Sequence, residues 1–100
     1  MTTTLHLENT VHDFESWKAV FDKFDRFRAD NKVRSYRVSR SVASPQKVIV
    51  DLDFDSIADA ESFSAALAKV RTTPQSKAQL VEFVEPVVLE LVAERTFTAV

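Results

Sequence analysis

The chain of 100 residues contains no glycine, where average usage would place about seven. Phosphate-cradling loops, dinucleotide fingerprints and the sharp turn beneath a nucleophilic serine all need a residue without a Cβ, so none of those motifs is present. Cysteine is absent too, which excludes disulfides, thiolate nucleophiles and Cys-based zinc or iron–sulfur sites. The longest uninterrupted hydrophobic run is Ala65 to Ala68, and the opening MTTTLHLENT has neither a basic start nor an apolar stretch. These features predict a chain that is neither secreted through a signal peptide nor membrane-spanning, and a cytoplasmic location fits them. A surplus of one charge is also missing: 13 basic and 15 acidic residues leave a net charge of −2. No global field recommends nucleic acid or an anionic membrane as partner.

What is present suits one domain over residues 1–100. Hydrophobic residues at 45% and charged residues at 28% are globular proportions, far from the composition of disordered chains. Leu5, Leu7 and Val11 share one parity and His6, Glu8 and Thr10 the other, the two-residue period of a half-buried strand over residues 2–11. Asp13 is placed to cap a helix over residues 14–30, in which Phe14, Trp17, Phe21, Phe24 and Phe27 recur at three- and four-residue steps.

Two further strand-like runs, residues 33–42 and 46–54, flank Ala43, Ser44 and Pro45, a short connection that predicts an antiparallel hairpin. Ser56 with Asp59 resembles a capping box ahead of a second helix whose stripe is Ile57, Ala60, Phe63, Leu67 and Val70. Thr73 and Pro74 suggest one more helical turn. The segment from Leu80 to Thr96 is long for a strand. Because Pro86 has no N–H to give a ladder, the expectation is a fourth strand ending at Glu85 and an extension from Val87 that leaves the sheet to cover a second copy. The order βαββαβ predicts an α+β, ferredoxin-like fold: a four-stranded antiparallel sheet with both helices on one face.

Three stretches carry a family likeness: HDFESWKAVFD opening the first helix, VRSYRV in the second strand, and PQKVIVDLDFDSIADAESF from the hairpin into the second helix. With them the chain resembles the small dimeric α/β-barrel proteins similar to antibiotic biosynthesis monooxygenases, including actinobacterial members labelled cyclases. The resemblance implies a ferredoxin-like fold, a homodimer whose sheets face each other, and a hydrophobic ligand pocket between sheet and helices. It also implies a range of activities that includes cofactor-free oxygenation of aromatic polyketides, haem degradation and isomerisation. The sequence matches no catalytic motif of a characterised branch, and Lys32 stands where relatives often carry glycine.

Candidate site residues follow from these placements. Trp17, Phe21, Tyr36 and Phe63 are the candidate ligand-binding set, read first as core and second as the wall of an apolar pocket. His12, at the end of the first strand, and Tyr36, the only tyrosine, are the candidate acid–base groups at the pocket mouth. His6, Glu8, Asp51 and Asp53, with Arg37, project from the sheet face away from the helices, either as ion pairs or as a metal or proton-transfer cluster. Arg26, Arg28, Lys32, Arg34, Arg37 and Arg40 read as a solvated basic surface rather than an anion site, since base-stacking aromatics are missing apart from Tyr36. The expected partners are the chain itself and a hydrophobic, aromatic small molecule. No cofactor motif is present, so any chemistry is expected to draw on the substrate's own reactivity. The alternative is a non-catalytic dimerisation module with a filled core.

Overall fold

In the computed structural model, which describes residues 2–74 and 80–98, the alternating first segment becomes strand β1, Thr3–Val11. Thr3, Leu5, Leu7 and Val11 are buried while His6 and Glu8 are half-buried, so the period of two has set which face meets the helices. Asp13 caps α1, Phe14–Lys23, its carboxylate accepting the Ser16 N–H at 2.9 Å. The expected single helix to Asp30 is broken at Phe24, after which α2 covers Asp25–Asp30. Around the break the Phe21 carbonyl accepts the Phe24 N–H at 3.2 Å and the Arg28 Nη2 at 2.6 Å. A guanidinium thus gives a carbonyl in the last turn of α1 a second, shorter hydrogen bond.

Helix α2 ends without glycine. Lys32 takes φ 72°, its N–H bonds the Ala29 carbonyl at 3.4 Å, and the Val33 N–H bonds the Arg28 carbonyl at 3.1 Å. This is the paired-bond left-handed stop that glycine ordinarily serves. Here a lysine bears the Cβ crowding that glycine escapes.

The hairpin follows as β2, Ser35–Arg40, and β3, Lys47–Phe54. Val48, Val50, Leu52 and Phe54 are all 1% exposed or less and form the centre of the core with Leu5 and Val11. Helix α3, Ile57–Arg71, starts on the Ser56 hydroxyl, which accepts the Asp59 N–H at 3.1 Å. Its stripe seats Ala60 and Phe63 fully, whereas Ile57, expected with them, is 47% exposed. The turn expected at Thr73 and Pro74 runs into residues 75–79, outside the described residues.

Strand β4, Leu80–Glu90, completes a sheet of order β2-β3-β1-β4 with every pairing antiparallel. The fold is ferredoxin-like. The expected end of this strand at Glu85 is corrected: pairing with β1 continues to Glu90 opposite Thr3, and the Leu91 N–H still reaches the Thr2 carbonyl at 3.0 Å. Pro86 is accommodated by a bulge, since Val84 faces Glu8 and Val87 faces His6, leaving Glu85 and Pro86 together opposite Leu7. The one-residue insertion also changes the strand's phase. Val84, Val87 and Leu89 consequently share the sheet face of Glu8, His6 and Thr4, and are 49, 46 and 44% exposed. Only after Leu91 does the chain leave the sheet, carrying exposed Val92 and Phe97.

Candidate functional site

The aromatic positions of α1 and α2 form two runs of ring contacts above the sheet. Phe14 meets Trp17 at 5.9 Å, Trp17 stacks on Phe21 at 4.9 Å, and Phe21 meets Tyr36 edge-on at 5.3 Å. Phe24 touches Phe27 at 6.2 Å, Phe27 touches Phe63 at 5.7 Å, and Phe63 touches Phe54 at 5.6 Å. Between the runs lies a cavity of about 100 Å3. Trp17, Phe21, Phe24, Phe27 and Phe63 wall its helix side, and Leu7, Val50 and Leu52 form its floor.

Three of the four residues expected to bind ligand therefore meet at one cavity. Tyr36 does not line it; the ring stands behind Phe21, and its hydroxyl donates to Asp25 Oδ1 at 3.1 Å. His12 is exposed and away from the cavity, and its carbonyl accepts Gln46 Nε2 at 2.8 Å. The acid–base pair of His12 and Tyr36 is thus not assembled around the cavity.

The cavity's polar wall is made of residues that sequence reasoning had placed elsewhere. Arg28, assigned to a solvated basic surface, is 5% exposed and lines the cavity. Its Cζ lies 3.7 Å from the Phe21 ring centroid and 5.1 Å from that of Tyr36, with Asp25 Oδ1 3.7 Å from Nη2. Burial pulls its pKa below the usual guanidinium value, against the opposing pull of Tyr36 and Asp25. Asn9 and Arg71 also line the cavity. The missed signal was positional: residue 28 is seven after Phe21 and four after Phe24, residue 71 four after Leu67, and Asn9 shares the buried parity of Leu7.

The remaining members of the basic run do lie at the surface. Arg26 pairs with Asp30 at 3.7 Å and Arg34 with Asp55 at 3.5 Å, while Arg40 lies over the Phe14 ring at 4.5 Å.

On the opposite sheet face the register brings together the charged side chains expected there. His6 Nδ1 donates to Asp51 Oδ1 at 2.6 Å, and its Nε2 lies 3.4 Å from Glu8 Oε2, while the other oxygen of Glu8, Oε1, is 3.5 Å from Lys47 Nζ. The hydrogen bond to Asp51 raises the His6 pKa; desolvation opposes it, and the Asp51 and Glu8 charges reinforce the rise. Asp53 accepts from Thr4 at 2.8 Å, Ser35 at 2.9 Å and Arg37 at 3.0 Å. Burial alone would raise its pKa, but these bonds outweigh that and hold it below the usual carboxylate value. His6 and the acids are paired rather than convergent: the two ring nitrogens point to different carboxylates, and Asp53 is taken up by other donors. Among the described residues no group of three or more such side chains is arranged to hold a metal ion.

With this geometry in hand, comparison with solved structures gives the fold's relatives. A protein provisionally named an antibiotic biosynthesis monooxygenase, from Bordetella bronchiseptica, superposes with TM-score 0.71 at 12% identity over 92% of this chain and 98% of its own. A similarly named protein from Chloroflexus aurantiacus gives 0.61 at 14% identity, over 96% and 98%. A dimeric ferredoxin-like protein from an uncultured marine organism gives 0.60 at 11% identity, over 94% and 97%. The structural neighbours are thus antibiotic biosynthesis monooxygenase-like proteins of ferredoxin-like fold, the type the sequence resembles. No protein-family model and no curated protein matches the sequence. At these identities the likeness establishes the fold alone. Among the described residues no helix is long and apolar enough to cross a membrane.

Proposed function

We propose that the chain is a homodimeric small-molecule protein that binds a hydrophobic, aromatic compound between its helices and sheet, acting in the manner of a cofactor-free monooxygenase or cyclase. The observation that carries this reading is the cavity walled by Trp17, Phe21 and Phe63 over an aliphatic floor. Pockets for organic ligands are predominantly apolar with a few placed polar groups, and here Asn9, Arg28 and Arg71 are those groups. Proteins of the same fold provisionally named as antibiotic biosynthesis monooxygenases support the class of chemistry. Support for pairing comes from a dimeric neighbour and from the row of Val84, Val87 and Leu89 on the uncovered sheet face.

A second reading, a non-catalytic dimerisation module, is favoured by the cavity's size. At about 100 Å3 it is smaller than the ~150 Å3 that admits benzene or the ~300 Å3 of a typical ligand pocket. An aromatic ligand therefore has to displace part of the wall on entry. Titrating Trp17 fluorescence with a panel of aromatic metabolites, haem included, separates the two. Saturable quenching or a shift of emission is expected for a ligand; an unresponsive Trp17 across the panel leaves the dimerisation module.

A further inference from the structure

The charge on the cavity wall is of one sign. Among the described residues that line the cavity two are arginines, one is an asparagine, and none is an aspartate or glutamate. This occurs in a chain whose acidic residues outnumber its basic ones, 15 to 13.

Arg28 is also under-compensated for a buried cation. Of its three guanidinium nitrogens, Nη2 donates to the Phe21 carbonyl at 2.6 Å. Nε is buried with no hydrogen-bond partner among the described residues. The nearest carboxylate, Asp25, stands at 3.7 Å and its side chain is 68% exposed, so water screens much of its field. The rings of Phe21 and Tyr36 face it with their quadrupoles, and Tyr36 and Asp22 also favour the charged form, yet burial outweighs them all. A buried charge without a close counter-ion is costly. Helix α1's last turn explains one hydrogen bond of this residue, but a neutral donor would serve that carbonyl without the cost of a charge. What a guanidinium adds is the fork that matches a planar anionic oxygen group.

We infer that the cavity selects an aromatic compound bearing an anionic oxygen group, a carboxylate or an ionised phenol, seated with that group toward Arg28. The inference rests on the ligand reading of this same cavity and adds the charge of what enters it. The aromatic body of the ligand lies among Trp17, Phe24 and Phe63, and its acidic end replaces the water-screened attraction of Asp25 with a direct, desolvated ion pair. Arg71, on the same wall, has interactions of its own and is not the seat.

The test is calorimetric titration of the whole chain with benzoate and 2-naphthoate, each beside its neutral amide. A charge-assisted hydrogen bond in a partly dry site predicts that the acids bind about tenfold tighter than the amides. Equal binding of acid and amide overturns the anion inference while leaving an aromatic cavity standing; heat from none of the four compounds removes the cavity reading, and the inference falls with it. R28M is expected to bring acid and amide within twofold of each other, and R28K to keep a reduced preference for the acid. R71M is expected to keep most of that preference. Should R71M abolish it and R28M leave it intact, Arg28 is not the seat. Because R28M also removes the bond to the Phe21 carbonyl, its Trp17 emission and melting curve are recorded first. If R28M fails to fold, the acid-to-amide ratio of the unmodified chain, with R28K and R71M, decides the question alone.

Discussion

The two faces of one sheet are built on opposite principles, although their residues alternate along the same strands. Toward the helices, Leu5, Val48, Val50, Leu52 and Phe54 are closed off from water and meet Phe63, Ala60 and Trp17. Away from the helices, His6, Glu8, Asp51, Asp53 and Arg37 form paired charges that remain partly wet, bordered by exposed Val84, Val87 and Leu89. The first face holds the fold through apolar area removed from water; the second specifies register and leaves an edge able to meet another surface. The comparison predicts that substitutions one residue apart on a strand differ sharply in both size and pH dependence.

The largest effect is expected at Phe54, 1% exposed and against the Phe63 ring at 5.6 Å. Phe54→Ala should cost about 3–5 kcal/mol in denaturant unfolding, because it removes a fully buried ring and leaves a space that its neighbours refill only in part. A loss under about 1 kcal/mol would break the contrast, showing that face to be loosely packed. Next in size is Val87→Lys on the open face. It should leave the unfolding of a single chain nearly unchanged but raise the dissociation constant of the proposed dimer about a thousandfold, since a buried unpaired charge is costly. Sedimentation over a concentration series reads it. A chain that remains monomeric before any substitution would remove the pairing altogether.

The charged cluster answers to pH in two directions. The Asp53 carboxyl is held below its ordinary pKa, so its contribution is present above the unfolded value of about 3.9 and is lost as pH falls through the lower folded value. Asp53→Asn should cost about 1–2 kcal/mol at neutral pH, with the difference closing toward pH 2. His6 is shifted the other way, its pKa raised, so its contribution is complete below about pH 6.5 and is lost as pH climbs through the raised folded value. His6→Gln should cost about 1 kcal/mol or less, given a side chain 26% exposed, and should flatten stability between pH 6 and 8. Parallel profiles for the unmodified chain and His6→Gln would show that the Asp51 contact does not govern His6.

Much of this arrangement was legible in the residues, because strand parity is a strict period. The alternation of Leu5 and Leu7 with His6 and Glu8, and of Val48, Val50 and Leu52 with Asp51 and Asp53, was enough to sort the two faces and to bring His6 beside Asp51. Helix periods are looser. The aromatic stripe fixed the inward side of α1 and α2, but it hid Arg28, on that same side by spacing, because a charged residue in a basic run reads as solvated. The other departure, β4 continuing past Pro86, depends on a bulge. A proline marks a lost hydrogen bond; whether the strand stops or bulges depends on the neighbour that holds it.

The smallest effect expected touches neither face and so sets the scale for the others. Lys32 holds φ 72° to close α2 through the bond from the Val33 N–H to the Arg28 carbonyl, and it is exposed, so no side-chain packing is at stake. Lys32→Gly relieves the left-handed strain of about 1–2 kcal/mol but gives the unfolded chain more freedom, which returns about half of that. A net gain of about 0.5–1 kcal/mol is expected in thermal or denaturant unfolding, the same at low and at high salt. A gain that varied with salt would mean the lysine charge, through the adjacent α2 and its terminal dipole, contributes beside the backbone strain. A loss of stability would mean that the left-handed stop stores no strain that glycine can release.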